Sequence, residues 1–163
     1  YENGSFEGYG PGGVAIIVDV LTDNKNRTTS AVKHAFDKYG GNLGVPGCVS
    51  YMFERKGLIV IERTDRTDED KILEDALEAG AADVVNLEDC FEILTDPEDF
   101  NTVAEALKNA GYDFVEADEE YVPSVEATPS EADLKNLSKM IEVMEENGDV
   151  QKVYHNSAIP LDD

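Results

Sequence analysis

The chain has 163 residues, with 36 acids against 13 bases, a formal net charge of −23 and a hydrophobic fraction of 41%. That length gives room for one ordinary domain or two small ones, and the apolar residues fall in periodic blocks that exclude global disorder. So acidic a surface also excludes broad binding to nucleic acid or anionic lipid, because both depend on neutralising phosphates.

The charge is unevenly spread. Residues 1–60 hold six acids and six bases, which leaves 30 acids against seven bases in residues 61–163. The first third therefore reads as a working face on an acidic scaffold, and any nucleic-acid contact has to use it. Cys48 and Cys90 stand alone, without a CxxC or a neighbouring His. They suit a reducing, cytoplasmic compartment as small buried side chains. No apolar run approaches the roughly 20 residues of a membrane span, so no membrane partner is expected.

In chain order, residues 1–12 read as linker. The sequence opens on Tyr1 rather than Met, and the expectation is the C-terminal part of a longer protein whose N-terminal helical domain precedes it. Gly8, Gly10, Pro11, Gly12 and Gly13 make a glycine-rich loop before a strand. A phosphate-cradling loop follows a strand and opens a helix, so that backbone amides face the anion. Here the order is reversed and no GK[ST] follows, so the loop reads as a structural turn or hinge.

A β-type run over 13–22 leads to a predicted helix over 26–39, ending at Gly40. At about 100° per residue, Arg27, His34 and Lys38 fall within roughly 40° of one another, opposite Val32, Ala35, Phe36 and Tyr39. With Lys25 and Asn26 at its start, this is a cationic stripe of the kind that docks a phosphate backbone. A plainly solvated helix face is the alternative. The loop GGNLG (40–44), with Asn42, either contacts a partner beside the stripe or only turns the chain. After a strand over 48–54, Arg55 and Lys56 extend the stripe or flank a domain crossing.

Further helices are predicted over 67–79, 97–110 and 129–147, stopping at Gly80, Gly111 and Gly148. Thr67 and Asp96 are the expected N-caps, and Thr128–Glu131 reads as a capping box with Pro129 at the first helical position. Strands are predicted over 58–63, 83–87, 90–95, 113–118, 121–127 and 149–155. The middle elements, 57–118, spell the β-α-β-β-α-β order of a ferredoxin-like unit. The outer elements, 13–56 and 119–159, make a second such set. The predicted fold is α+β: two ferredoxin-like lobes, one inserted in the other, with antiparallel or mixed sheets. A single eight-stranded mixed sheet is the alternative.

Catalytic patterns are missing from the sequence. His34 and His155 have no spacing to a nucleophile and carboxylate that reads as a triad. No HExxH or HxE…CxxC metal pattern occurs, and the acid runs at 65–70, 116–120 and 145–146 lack the glycine turn of a calcium loop. The expectation is a protein that is not an enzyme and needs no cofactor or metal.

The elements GYGPGGVAIIV (8–18), LTDNKNRT (21–28), VKHAF (32–36), GGNLG (40–44), VSYMFERKG (49–57) and KVYHN (152–156) resemble the YebC/PmpR family, which includes mitochondrial translational activators of cytochrome c oxidase. The resemblance spans about 9–159. It implies two α/β lobes following a basic N-terminal helical domain, and a non-enzymatic regulator of gene expression. Bacterial members are described as probable DNA-binding transcriptional regulators, and some members act in translation at the ribosome. The implied partners are DNA or ribosomal RNA, reached through the full-length protein, and the ribosome itself. Two further readings come from other classes: a small-molecule sensor with its site at a lobe interface, and a phosphate-handling enzyme built on Gly8–Gly13, for which the sequence supplies no base or metal.

Overall fold

The computed structural model describes residues 1–161. The chain divides into two compact units, one formed by residues 1–54 and the chain from Pro123 onward, the other by Arg55–Val122. Each carries a four-stranded antiparallel sheet and two α-helices.

In unit 1 the strands are β1 (Glu2–Tyr9), β2 (Ala15–Thr22), β3 (Asn42–Leu43) and β8 (Val150–His155), in the order β3-β1-β2-β8. All three pairings are antiparallel. β2 is buried along almost its whole length because it is a central strand with partners on both edges. Val14, Ile16, Val18 and Val20 pack with Val32 and Phe36 of α1 (Lys25–Lys38) and with Leu134, Leu137, Met140, Ile141 and Met144 of α4 (Glu131–Glu145). Spacing of three and four along α4 puts these five side chains on one stripe. Each such side chain contributes about 1.5–3 kcal/mol by leaving water. Asn156 ties the ends together. Its Oδ1 accepts from the Ala15 N–H at 2.7 Å, and its Nδ2 donates to the Val125 carbonyl at 3.0 Å.

Unit 2 runs β4 (Phe53–Glu62, from Arg55 onward), α2 (Glu69–Ala79), β5 (Asp83–Asn86), β6 (Cys90–Thr95), α3 (Phe100–Asn109) and β7 (Glu116–Pro123, up to Val122). The sheet order is β5-β6-β4-β7. Alternation builds its core: Ile59 and Ile61 of β4 and Phe91 and Ile93 of β6 face Ile72 and Ala76 of α2 and Val103 and Leu107 of α3. Gly57 faces inward against Thr95 and Phe100, where a side chain would not fit.

Several sequence-based expectations are corrected. Residues 2–9, read as linker, form β1, a full-length partner of β2; its polar sequence hides it, because most of its residues are exposed. Unit 1 therefore opens with a β-hairpin rather than a βαβ element. The stretch expected as a strand over 48–54 is a loop with a 3-10 turn at Ser50–Met52, and β4 begins at Phe53 and runs straight through the charged Glu54, Arg55 and Lys56. The strands expected over 113–118 and 121–127 are one strand, β7. With two separate four-stranded sheets, the single eight-stranded sheet is excluded. The cap of α2 is Asp68, one residue after Thr67, and that of α4 is Ser130, which leaves Pro129 outside the helix. Asp96 precedes a 3-10 turn at Pro97–Asp99, ahead of α3. Gly40, Gly80 and Gly111 adopt the left-handed conformation expected at helix ends, and Gly148 does not.

Candidate nucleic-acid interface

The cationic helix α1 starts where β2 ends, and a polar knot fixes that junction. Asn24 caps the helix by accepting from the Arg27 N–H at 3.1 Å. The buried Thr28 hydroxyl meets the Thr22 hydroxyl and the Asp149 carboxylate, each at 2.8 Å. Arg27 then closes the knot. Its Nε and Nη2 donate to the two carboxylate oxygens of Asp149 at 3.1 and 2.9 Å, and Nη2 also reaches Asp23 at 2.8 Å. The hydrogen bonds from Arg27 hold both carboxyls below the ordinary aspartate range, and the two acids push the guanidinium pKa up. One cation set between two carboxylates offers no net positive charge to a phosphate. Arg27 anchors the helix.

The other members of the stripe differ from it. Lys25, Asn26, His34 and Lys38 are all exposed on α1. Lys38 stands 5.4 Å from the centroid of the Tyr39 ring, and the intervening Lys33 is paired with Asp37 at 3.0 Å. Asn42 lies on β3 opposite Tyr9 of β1, also exposed. Arg55 and Lys56 belong to unit 2, where each meets an acid: Glu119 at 3.6 Å, with Arg55 4.8 Å from the Tyr121 ring centroid, and Asp96 at 3.5 Å. The exposed candidates left on α1 are therefore Asn26, His34 and Lys38, with Lys25 in the first turn on another side of the helix.

The glycine-rich loop joins β1 to β2. Pro11–Gly13 make a 3-10 turn, closed by the Gly13 N–H donating to the Gly10 carbonyl at 3.2 Å, and the Gly10 N–H donates to the Val14 carbonyl at 2.7 Å across the loop. A side chain at Gly10 would collide with Ile16, and one at Gly12 with Pro129. These glycines are set by packing against the helix layer. Gly8 is likewise required by close approach: a Cβ there would lie 2.6 Å from the Asn42 carbonyl oxygen.

One feature of unit 1 had no signal in the sequence motifs. The Glu7 carboxylate accepts three backbone N–H groups of the following loop, from Gly47 at 2.7 Å, Ser50 at 2.7 Å and Val49 at 3.2 Å. Partial burial pushes the Glu7 pKa up, but these donors outweigh it and hold the carboxyl below its ordinary value. Burial and the nearby Glu7 charge push the Cys48 thiol up, so it is a poor nucleophile. Among the described residues no cluster of three or more metal-ligating side chains occurs, and no helix is long and apolar enough to cross a membrane. A groove of unit 2, about 510 Å³, is lined by Arg66, Lys71, Tyr112 and Phe114 among others. Two of its polar groups are already engaged: Lys71 and Tyr112 both donate to Asp75, at 3.0 and 2.6 Å.

The family model for the TACO1/YebC second and third domain matches residues 1–157. The chain belongs to the TACO1/YebC family. A probable transcriptional regulatory protein of Clostridium novyi is 54% identical over 160 residues, covering 98% of this chain and 65% of that protein. One from Clostridioides difficile is 50% identical over 157 residues, covering 96% and 66%. The crystal structure of a conserved hypothetical protein, Aq1575, from Aquifex aeolicus superposes with a TM-score of 0.88 at 42% identity, over 99% of this chain and 66% of that one. The chain thus spans about two thirds of the length of the TACO1/YebC relatives it matches.

Proposed function

We propose that this chain is part of a non-enzymatic regulator of gene expression, and that the exposed residues of α1 place it against nucleic acid or ribonucleoprotein. The observation that carries the reading is the sorting of charge. Unit 2 holds 21 acids and six bases in residues 55–122, whereas α1 presents Lys25, Asn26, His34 and Lys38 to solvent on one helix. The names of its relatives as probable transcriptional regulatory proteins support a regulatory role. The order β-α-β-β-α-β of unit 2 is that of a ferredoxin-like module, a scaffold that serves binding as readily as chemistry.

DNA and the ribosome are the two targets to separate. The acidity of unit 2 favours the ribosome, which offers basic proteins as well as RNA, whereas a duplex offers this surface only anions. Co-sedimentation with ribosomes and a DNA shift assay, both at about 150 mM salt, distinguish them. On the ribosomal reading the protein pellets with ribosomes and ignores DNA; specific DNA retention alone restores the transcriptional reading. In either complex, replacing Lys25 and Lys38 by Glu weakens binding and flattens its salt dependence, by roughly one unit of slope per lost phosphate contact. An unchanged slope removes α1 from the account. Arg27→Ala is expected to loosen the junction with β8 instead, and to show in stability before binding.

A further inference from the structure

From Tyr39 to Phe53 the sequence has fifteen residues without an Asp, Glu, Lys or Arg, the longest such run in a chain that is 30% charged. A long uncharged run usually means burial. Here it does not: Asn42, Gly44, Val45, Pro46, Gly47 and Tyr51 are exposed, Val45 at 72% and Tyr51 at 71% of full accessibility. Tyr9, opposite Asn42 across the β1–β3 pair, is 37% exposed, and burial together with the nearby Tyr51 phenol pushes its own phenol pKa up. The fold needs neither aromatic ring for its core. The loop beneath them is nevertheless fixed, by the three amides on Glu7 and by the Gly44 N–H donating to the Glu7 carbonyl at 2.9 Å. Two exposed tyrosines thus stand near one another on a fixed loop that has no charged residue of its own and is clamped from β1 by the Glu7 carboxylate.

We propose that Tyr9 and Tyr51, with the exposed backbone of residues 44–47 beside them, form a stacking platform for unpaired nucleobases. Every base has a π-face, so tyrosine rings hold a single strand without reading its sequence. The phenol hydroxyl keeps such a ring compatible with water when no ligand covers it. Gly47, with open space where a Cβ would stand, lets a nucleotide approach the backbone. The run itself carries no carboxylate, the Glu7 carboxylate against it is engaged by three amides, and Lys38, at the end of α1 just before the run, is a cation within the same unit for a phosphate. The proposal rests on the nucleic-acid reading of α1 and specifies what that nucleic acid presents: bases free of a duplex.

The test is fluorescence anisotropy on three fluorescein-labelled probes of about 12 nucleotides, a length within the site sizes of single-strand binders. They are oligo(U) RNA, an abasic strand with the same phosphates, and a duplex. The protein is expected to prefer oligo(U). Tyr9→Ala and Tyr51→Ala each lower that affinity roughly 10-fold, leave abasic binding and the salt slope unchanged, and are rescued by Phe. Circular dichroism melting of the same variants checks that the fold persists. Equal binding of oligo(U) and the abasic strand, with tyrosine variants like the wild type, overturns the platform. If the Lys25 and Lys38 variants still change the salt slope in that case, the α1 reading stands without it. Loss of both effects, or no binding of any probe, overturns both. A dimer in sedimentation that Tyr51→Ala dissolves also overturns the platform, by giving this face to a second copy of the chain.

Discussion

At the residue scale, Glu7 shows how one carboxylate decides the shape of a loop. Three amides converge on it, and hydrogen bonds to a charged group are worth more than neutral ones. Glu7→Gln keeps an acceptor but loses the charge, and is expected to cost about 1–2 kcal/mol at neutral pH. The sign with pH follows from the lowered pKa. The carboxylate's contribution is complete above the unfolded-state value, ordinarily near 4.3, and is lost as pH falls through the lower folded-state value. Urea unfolding of wild type and variant at pH 7 and at pH 3 measures this: the gap is expected to narrow on acidification. A constant gap means that the charge is not what holds residues 47–50. Nothing in the sequence marked Glu7, because its partners are backbone amides some 40 residues away. Arg27 was legible as a cation on the right helix face. Its engagement was not, since Asp149 approaches from the far end of the chain.

At the scale of elements, α-helices were more legible than strands. Their apolar spacing and terminal glycines place all four, with the first turn displaced by a few residues where several capping side chains compete, as at Thr67 against Asp68 and at Thr128 against Ser130. β1 was missed because an outer stretch of hairpin with a solvated face needs no apolar alternation. The clue lay in glycine: Gly8 and Gly41 let β1 and β3 close together, and a Cβ at Gly41 would sit 2.6 Å from the Tyr9 carbonyl oxygen. Gly8→Ala drives a methyl against the backbone of Asn42 and the Phe36 ring, and overpacking of this kind costs about 1–3 kcal/mol. Hydrogen exchange of residues 42–44 is expected to accelerate along with the drop in melting temperature. Gly148→Ala serves as the contrast. That glycine has ordinary backbone angles and open space around its Cα, so the substitution should be neutral or stabilise by a few tenths of a kcal/mol. Equal damage from both would sink the close-approach argument.

At the scale of the molecule, the structure redistributes the charge asymmetry seen in the sequence: unit 2 is the most acidic stretch, while unit 1 joins α1 and its exposed cations to the acidic chain from Pro123 onward. Composition reported the asymmetry directly, since it needs no contact information. What it left hidden is which cations are spent on neighbours, as Arg27 and Lys33 are. The candidate stacking face was hidden for a related reason: an uncharged run reads as core until its exposure is known.

The insertion of unit 2 between Glu54 and Pro123 has a consequence in time. Unit 2 is contiguous and has all its strands once Val122 is made, whereas Ile16 of β2 pairs with His155 of β8. At ordinary elongation rates the delay between those two residues is on the order of 10 s. During it, one edge of the most apolar strand in the protein has no partner, the condition that invites mispairing. Refolding followed by pulsed hydrogen exchange is expected to protect Ile59 and Ile93 before Ile16 and Val18, and simultaneous protection would refute that order. A newly made copy is thus most vulnerable until β8 is available, and substitutions in Val150–His155 that slow its pairing with β2 should reduce yield in the cell more than they reduce the stability of the purified protein.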